Sequence, residues 1–140
     1  MNHTRRELAG LLPFVLAATA KAEGDTLPSK AYPFDQLAVK TKAENQTRSV
    51  LNGMTHAGCP LEVHLTSLPP GGMPHPPHHH VHEEMLLVQE GTMEVTILGK
   101  KTRLGPGSVA FVHSNEEHGW QNVGNTRAQY FVVAIGSEKS

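Results

Sequence analysis

From residue 48 onward the apolar positions follow the two-residue repeat of strands, and no helical period is sustained after residue 42. The segment LEVHLTSL, residues 61–68, alternates apolar with mixed residues, and Leu61, Val63 and Leu65 form its more obvious core face. Comparable short runs occupy residues 48–51, 84–89, 93–98, 101–104, 108–113, 118–122 and 127–135. Turn chemistry separates them: Asn52-Gly53, Pro69-Pro70-Gly71-Gly72, Glu90-Gly91, Gly99-Lys100 and Gly105-Pro106-Gly107. Roughly eight or nine short strands at this spacing predict an all-β sandwich, jelly roll or small barrel. No internal repeat is visible, so one barrel is expected. Residues 23–47 read as an extended arm with short strand pieces, residues 45–47 as a loop, and residues 48–140 as the barrel.

The N-terminus has a different pattern. Arg5 and Arg6 precede a mainly apolar run from Leu8 to Ala20. Ala18-Thr19-Ala20 and Ala20-Lys21-Ala22 both fit a small-x-small cleavage site. Residues 1–22 therefore read as an export signal. The pair Arg5-Arg6 after Thr4 resembles a twin-arginine signal and predicts a periplasmic destination. The run is too short for a stable membrane anchor. The competing reading is an amphipathic surface helix, which would leave the protein cytoplasmic.

Composition narrows the function. At 140 residues the chain has room for one domain, and 13 glycines with 10 prolines favour a turn-rich β fold. A formal net charge of −1 carries no nucleic-acid footprint. The single cysteine, Cys59, excludes an intrachain disulfide and a cysteine-based zinc knuckle, and reads as a bystander thiol.

The chemistry concentrates in PHPPHHHVHEEMLLVQEG, residues 74–91. On a strand His78 and His80 would project from one face, with Glu84 on the same parity. Three ligands from one segment need a fourth from elsewhere, and His118, following the loop Ser114-Asn115-Glu116-Glu117, is best placed. Imidazole suits iron, nickel, copper and zinc, and a carboxylate oxygen extends the range toward manganese. An open coordination shell points to catalysis or ligand binding. His79 has the opposite parity and should point away. His82 shares the ligand parity. His75 and His113 lie in loops near the expected mouth. His64, which shares a face with Glu62 and Thr66, is the candidate catalytic acid or base, with Glu83, His75 and Tyr130 as the alternatives.

These residues resemble the two motifs of the cupin superfamily. Gly72, His78, His80, Glu84 and Gly91 occupy every fixed position of the first motif. Gly107, His118 and Asn122 fit the second, with His113 in place of its usual proline and Asn115 in place of its glycine. An asparagine accepts the left-handed backbone that a glycine would supply. The resemblance spans residues 61–135. It implies a double-stranded β-helix, a jelly-roll barrel, with a divalent metal ion (Mn, Fe, Ni or Zn) in its mouth. His78, His80, Glu84 and His118 would be the ligands. It further implies a small-molecule substrate and dioxygenase-like oxidoreductase chemistry. The alternatives are a non-redox isomerase or lyase, or a protein that only binds a small ligand. By the same analogy a homodimer is expected, with residues 31–39 as an arm that could be exchanged.

Overall fold

The computed structural model describes residues 26–137. The predicted export signal, residues 1–22, lies outside the described residues. A one-turn 3-10 helix at Phe34–Gln36 precedes nine strands: β1 (Val39–Lys42), β2 (Asn45–Met54), β3 (Pro60–Leu68), β4 (Glu83–Glu90), β5 (Met93–Ile97), β6 (Lys100–Leu104), β7 (Val109–Val112), β8 (His118–Asn122) and β9 (Ala128–Ile135). They form a six-stranded sheet, β1-β2-β3-β9-β4-β7, and a three-stranded sheet, β6-β5-β8. Every strand pairing is antiparallel. This is the predicted jelly roll.

The inner faces follow from the strand period. Along β9, Ala128, Tyr130, Val132 and Ala134 are buried and alternate with half-buried neighbours. Leu86 and Val88 of β4, Met93 and Val95 of β5, Val112 of β7 and Trp120 of β8 meet Ala128, Tyr130 and Val132 in one core. Removing a fully buried leucine such as Leu86 leaves a cavity that costs about 2–5 kcal/mol.

Register corrects one sequence reading. Directly opposed residues in an antiparallel ladder share a face. Glu62, His64, Thr66 and Leu68 lie opposite Ala134, Val132, Tyr130 and Ala128. The inward face of β3 is therefore the semi-polar one, and Leu61, Val63 and Leu65 lie on the outside of the sheet. Leu65 is nevertheless 2% exposed. The polar inward residues lie toward the end of the barrel that holds the histidines.

Two turns also move. Asn52-Gly53 does not end a strand, because β2 runs from Asn45 through Met54 with a register shift between Ser49 and Leu51. Residues 45–47 are thus strand rather than loop. Gly53 packs closely against Leu27: a Cβ there would lie 2.9 Å from the Leu27 side chain. The chain reverses instead around Gly58, where Thr55 N–H donates to the Cys59 carbonyl at 2.9 Å. The β5–β6 turn falls at Leu98-Gly99, since Ile97 pairs with Lys100. Both turn residues have positive φ, 48° and 80°, as the twist of a two-residue hairpin demands.

Candidate metal centre

The proline-rich run ahead of β4 brings the histidines to the barrel end without being a strand. His78 forms an isolated antiparallel bridge with His118. Their backbones exchange two hydrogen bonds, His78 N–H to His118 O at 3.0 Å and the reverse at 2.9 Å. This pairing sets the two imidazoles side by side, with ring centroids 5.0 Å apart. The His80 carbonyl accepts from Asn115 N–H at 2.7 Å, which ties the loop before β8 to the histidine run. Asn115 has φ 62°, the left-handed backbone expected where the motif usually has glycine. The expectation of three ligands on one strand is corrected: only Glu84 lies within β4, which begins at Glu83.

Backbone carbonyls set the tautomers. Nδ1 of His80 lies 2.8 Å from the His82 carbonyl, and Nδ1 of His118 lies 2.8 Å from the Glu116 carbonyl. A carbonyl only accepts, so each Nδ1 carries the hydrogen and each Nε2 presents a lone pair. Those two Nε2 atoms and Glu84 Oε2 are buried without a hydrogen-bond partner. Oε2 of Glu84 lies 3.3 Å from His118 Nε2, and Oε1 lies 3.4 Å from His80 Nε2. Neither approach has hydrogen-bond geometry on the imidazole side.

Buried lone pairs facing one another are costly unless something positive lies between them. The donor atoms of His78, His80 and His118 lie within 4.8 Å of one another, as do those of His80, His82 and Glu84. With metal–ligand bonds of roughly 2.0–2.2 Å, opposite donors of one ion stand about 4.2 Å apart. The cluster is therefore near the span an ion requires. Its imidazole and carboxylate donors suit a divalent transition metal.

Charge reinforces this. Burial raises the Glu84 carboxyl, but the facing imidazoles of His118, His82 and His80 outweigh it and hold Glu84 at about 2. Burial, then His75, His118 and His80, lower His78 to about 4. Burial also depresses His118, but Glu84 and the Glu116 carbonyl prevail and its pKa is raised. At neutral pH the carboxylate is ionised and His78 is a free base.

The other histidines separate clearly. His79 is exposed, as its parity predicts. His75 stacks on His78 at 4.0 Å, and His113 is an exposed loop residue. His64 Nδ1 lies 3.4 Å from Glu62 Oε1 on the inward face of β3. Ala134 stands between Glu62 and Glu84 in the sheet register. Trp120 belongs to the core and donates to the Tyr130 hydroxyl at 3.2 Å. Asn122 donates to the carbonyls of Leu68, Pro69 and Thr126, a clasp rather than a ligand. His82 is the residue that motif spacing undervalues. It is buried, stacks on His80 at 3.6 Å, and places Nε2 3.2 Å from Glu84 Oε1. Its shared parity with the ligands was the available clue.

A crevice of about 360 Å³, lined by Val95, Ile97, Thr102, Leu104 and Ala110, opens between the sheets where β6 and β7 do not pair. Ile97, one of its lining residues, is the ladder partner of His118. A depression over Gly119 on the small sheet is lined by Glu94, Thr96 and Gln121 together with His118 and Trp120.

Two facing antiparallel sheets with an imidazole–carboxylate cluster at one end define a jelly-roll protein with a candidate divalent-metal site. The chain belongs to the cupin family: the cupin domain matches residues 64–134, just over half of the chain. Its fold is similar to an RmlC-like cupin from Shewanella frigidimarina, at 19% identity and TM-score 0.64, covering 79% of this chain and 95% of that one. The polyketide cyclase RemF from Streptomyces resistomycificus is similar at 22% identity and TM-score 0.65, covering 79% and 81%. A predicted oxalate decarboxylase from Thermotoga maritima follows at 19% identity and TM-score 0.64, covering 77% and 100%. At these identities the likeness concerns the fold alone. No curated protein sequence matches the chain.

Proposed function

We propose that this cupin is a divalent-metal-dependent enzyme acting on a small molecule, with His78, His80, Glu84 and His118 as the ligands and dioxygenase-like oxidoreductase chemistry. One observation carries the reading: lone pairs on His80 Nε2, His118 Nε2 and Glu84 Oε2 converge, buried and unpartnered. A bound divalent ion would supply redox and Lewis-acid chemistry at positions the protein leaves open. The residues' own work is orientation: the carbonyls of His82 and Glu116 aim two imidazoles, and the His78–His118 bridge holds a third. One carboxylate and three neutral imidazoles leave excess positive charge on a divalent ion. The site therefore favours an anionic or enolisable oxygen ligand, with the apolar crevice beside Ile97 for the rest of a small substrate.

The decisive experiment is oxygen uptake by Fe(II)-loaded protein over a panel of small dicarbonyls and enols. Substrate-dependent uptake that is lost in His80→Ala supports the reading. Turnover of a panel member without oxygen uptake refutes the dioxygenase assignment. A specific observation favours that second chemistry, a non-redox isomerase, lyase or cyclase. His64 lies on the inward face with Nδ1 held near Glu62, a geometry suited to a general base. In that case His64→Gln would abolish turnover while metal content stayed intact.

Export through residues 1–22 and assembly as a homodimer belong to the same proposal. Fractionation of the native cell tests the first, and recovery from cytoplasm alone would reject it. Folding before export would load the ion in the cytosol, where copper and zinc are scarce, and so favour manganese or iron despite their weaker intrinsic affinity.

A further inference from the structure

His82 is not one of the four ligands of that centre, yet it touches two of them. It is 8% exposed, the same as Glu84. Its ring lies flat on His80, 3.6 Å away with 10° between planes. Its carbonyl receives the His80 Nδ1 hydrogen at 2.8 Å, and its Nε2 lies 3.2 Å from Glu84 Oε1. An ionised carboxylate only accepts, so the hydrogen of this contact is on the His82 Nε2. Its Nδ1 is buried without a partner, which suits a bare ring nitrogen better than a second N–H.

A nitrogen that donates its hydrogen to Glu84 does not offer that lone pair to an ion. We infer that His82 is a positioning residue for the proposed metal centre. Its side chain holds Glu84 Oε1 and turns Oε2 toward the ion, while its main chain and ring fix His80. Glu84 then binds through one oxygen, leaving free a position that a two-oxygen mode would fill. Partners of this kind behind the ligands typically govern affinity by about 10–100-fold. The inference rests on the metal reading above.

The test compares wild type, His82→Phe and His82→Gln as full-length proteins. Phenylalanine keeps the ring stack and main-chain carbonyl but has no donor; glutamine returns an N–H near the lost one. Mn(II) affinity is measured by titration, and coordinated imidazoles are counted by pulsed electron paramagnetic resonance on the Cu(II)-loaded proteins. We expect His82→Phe to bind Mn(II) about 10–100-fold more weakly, His82→Gln to recover to within a few-fold, and the imidazole count to stay constant. Unchanged affinity in His82→Phe overturns the inference. So does a count that falls by one, which would make His82 itself a ligand, or a loss that glutamine does not restore, which would make its role one of packing. Should His82→Phe lose its cooperative thermal transition, His82→Leu, also without a donor, replaces it. Wild-type protein that takes up neither ion ends the metal reading as well, whereas normal uptake with an indifferent His82→Phe ends this inference alone.

Discussion

His80 and His79 are neighbours with opposite expected fates. His80 Nε2 is buried among the proposed donors, whereas His79 is exposed. His80→Ala should abolish stoichiometric metal uptake and His79→Ala should leave it within a few-fold, both read by metal analysis of purified protein. Near-equal losses would mean that the cluster has been misassigned. Protons compete for the same atoms. His118 has a raised pKa, so below that value each ion bound must displace about one proton, and affinity should fall about tenfold per pH unit. Calorimetry in buffers of different ionisation enthalpy measures that release. Stability of the metal-free protein carries its own signature. His118, raised, adds stability that is lost as pH climbs from 6.5 through its folded value. His78, lowered to about 4, works the other way: between pH 6.5 and 4 the unfolded chain holds the extra proton, so stability falls with pH. Glu84 continues that fall between 4.5 and about 2. Denaturant midpoints should therefore peak near the ordinary histidine pKa. A midpoint unchanged from pH 6.5 to 4 would contradict the crowding of His78.

Between strands, the turns decide whether the ligands meet. Gly91 closes the β4–β5 connection with φ 79°, and a Cβ there would lie 2.7 Å from the Ala128 Cα. Gly91→Ala combines backbone strain with a clash against β9, and should cost more than about 1 kcal/mol in denaturant unfolding. Much of this level was legible beforehand, because period-two patterning and glycine-proline punctuation are local properties. The eight expected strands all exist, most with shifted ends. What patterning misjudged depended on tertiary partners. Asn52-Gly53 is strong turn chemistry, but both residues pair with β3, opposite Glu62 and Leu61, and β2 stays extended. The inward face of β3 follows from its register with β9, which no single segment encodes. Strand parity would put His78 and His80 on one face; in the structure a bridge to His118 fixes His78, and the Asn115 N–H on its carbonyl fixes His80. For His82, spacing reveals parity and says nothing of which atom meets Glu84.

Across the whole molecule, the outer face of the large sheet carries apolar residues as well as the inner one, unlike a sheet with one solvated side. Outward residues include Phe131 and Val133 of β9 and Met85 and Leu87 of β4, and the last two pair with Phe111 and Val109 of β7. At the β2 end the segment ahead of β1 covers part of this surface, with Leu27 against Gly53 and the Phe34 ring 4.6 Å from the Arg48 guanidinium. At the β7 end Val109 is 51% and Phe111 49% exposed. A second copy of the chain is the occupant that the proposed homodimer supplies, and a stable pair would bury roughly 800 Å² on each partner. Phe111→Glu places a charge in that contact without touching the core, so the variant should keep the wild-type melting temperature yet sediment as a monomer where wild type sediments as a dimer. Loss of the fold in Phe111→Glu would instead make the outer face part of the protomer's own packing. Wild-type protein that sediments as a monomer at micromolar concentration would remove the homodimer from the proposal, and with it the reason for this sheet to be apolar on its outer side.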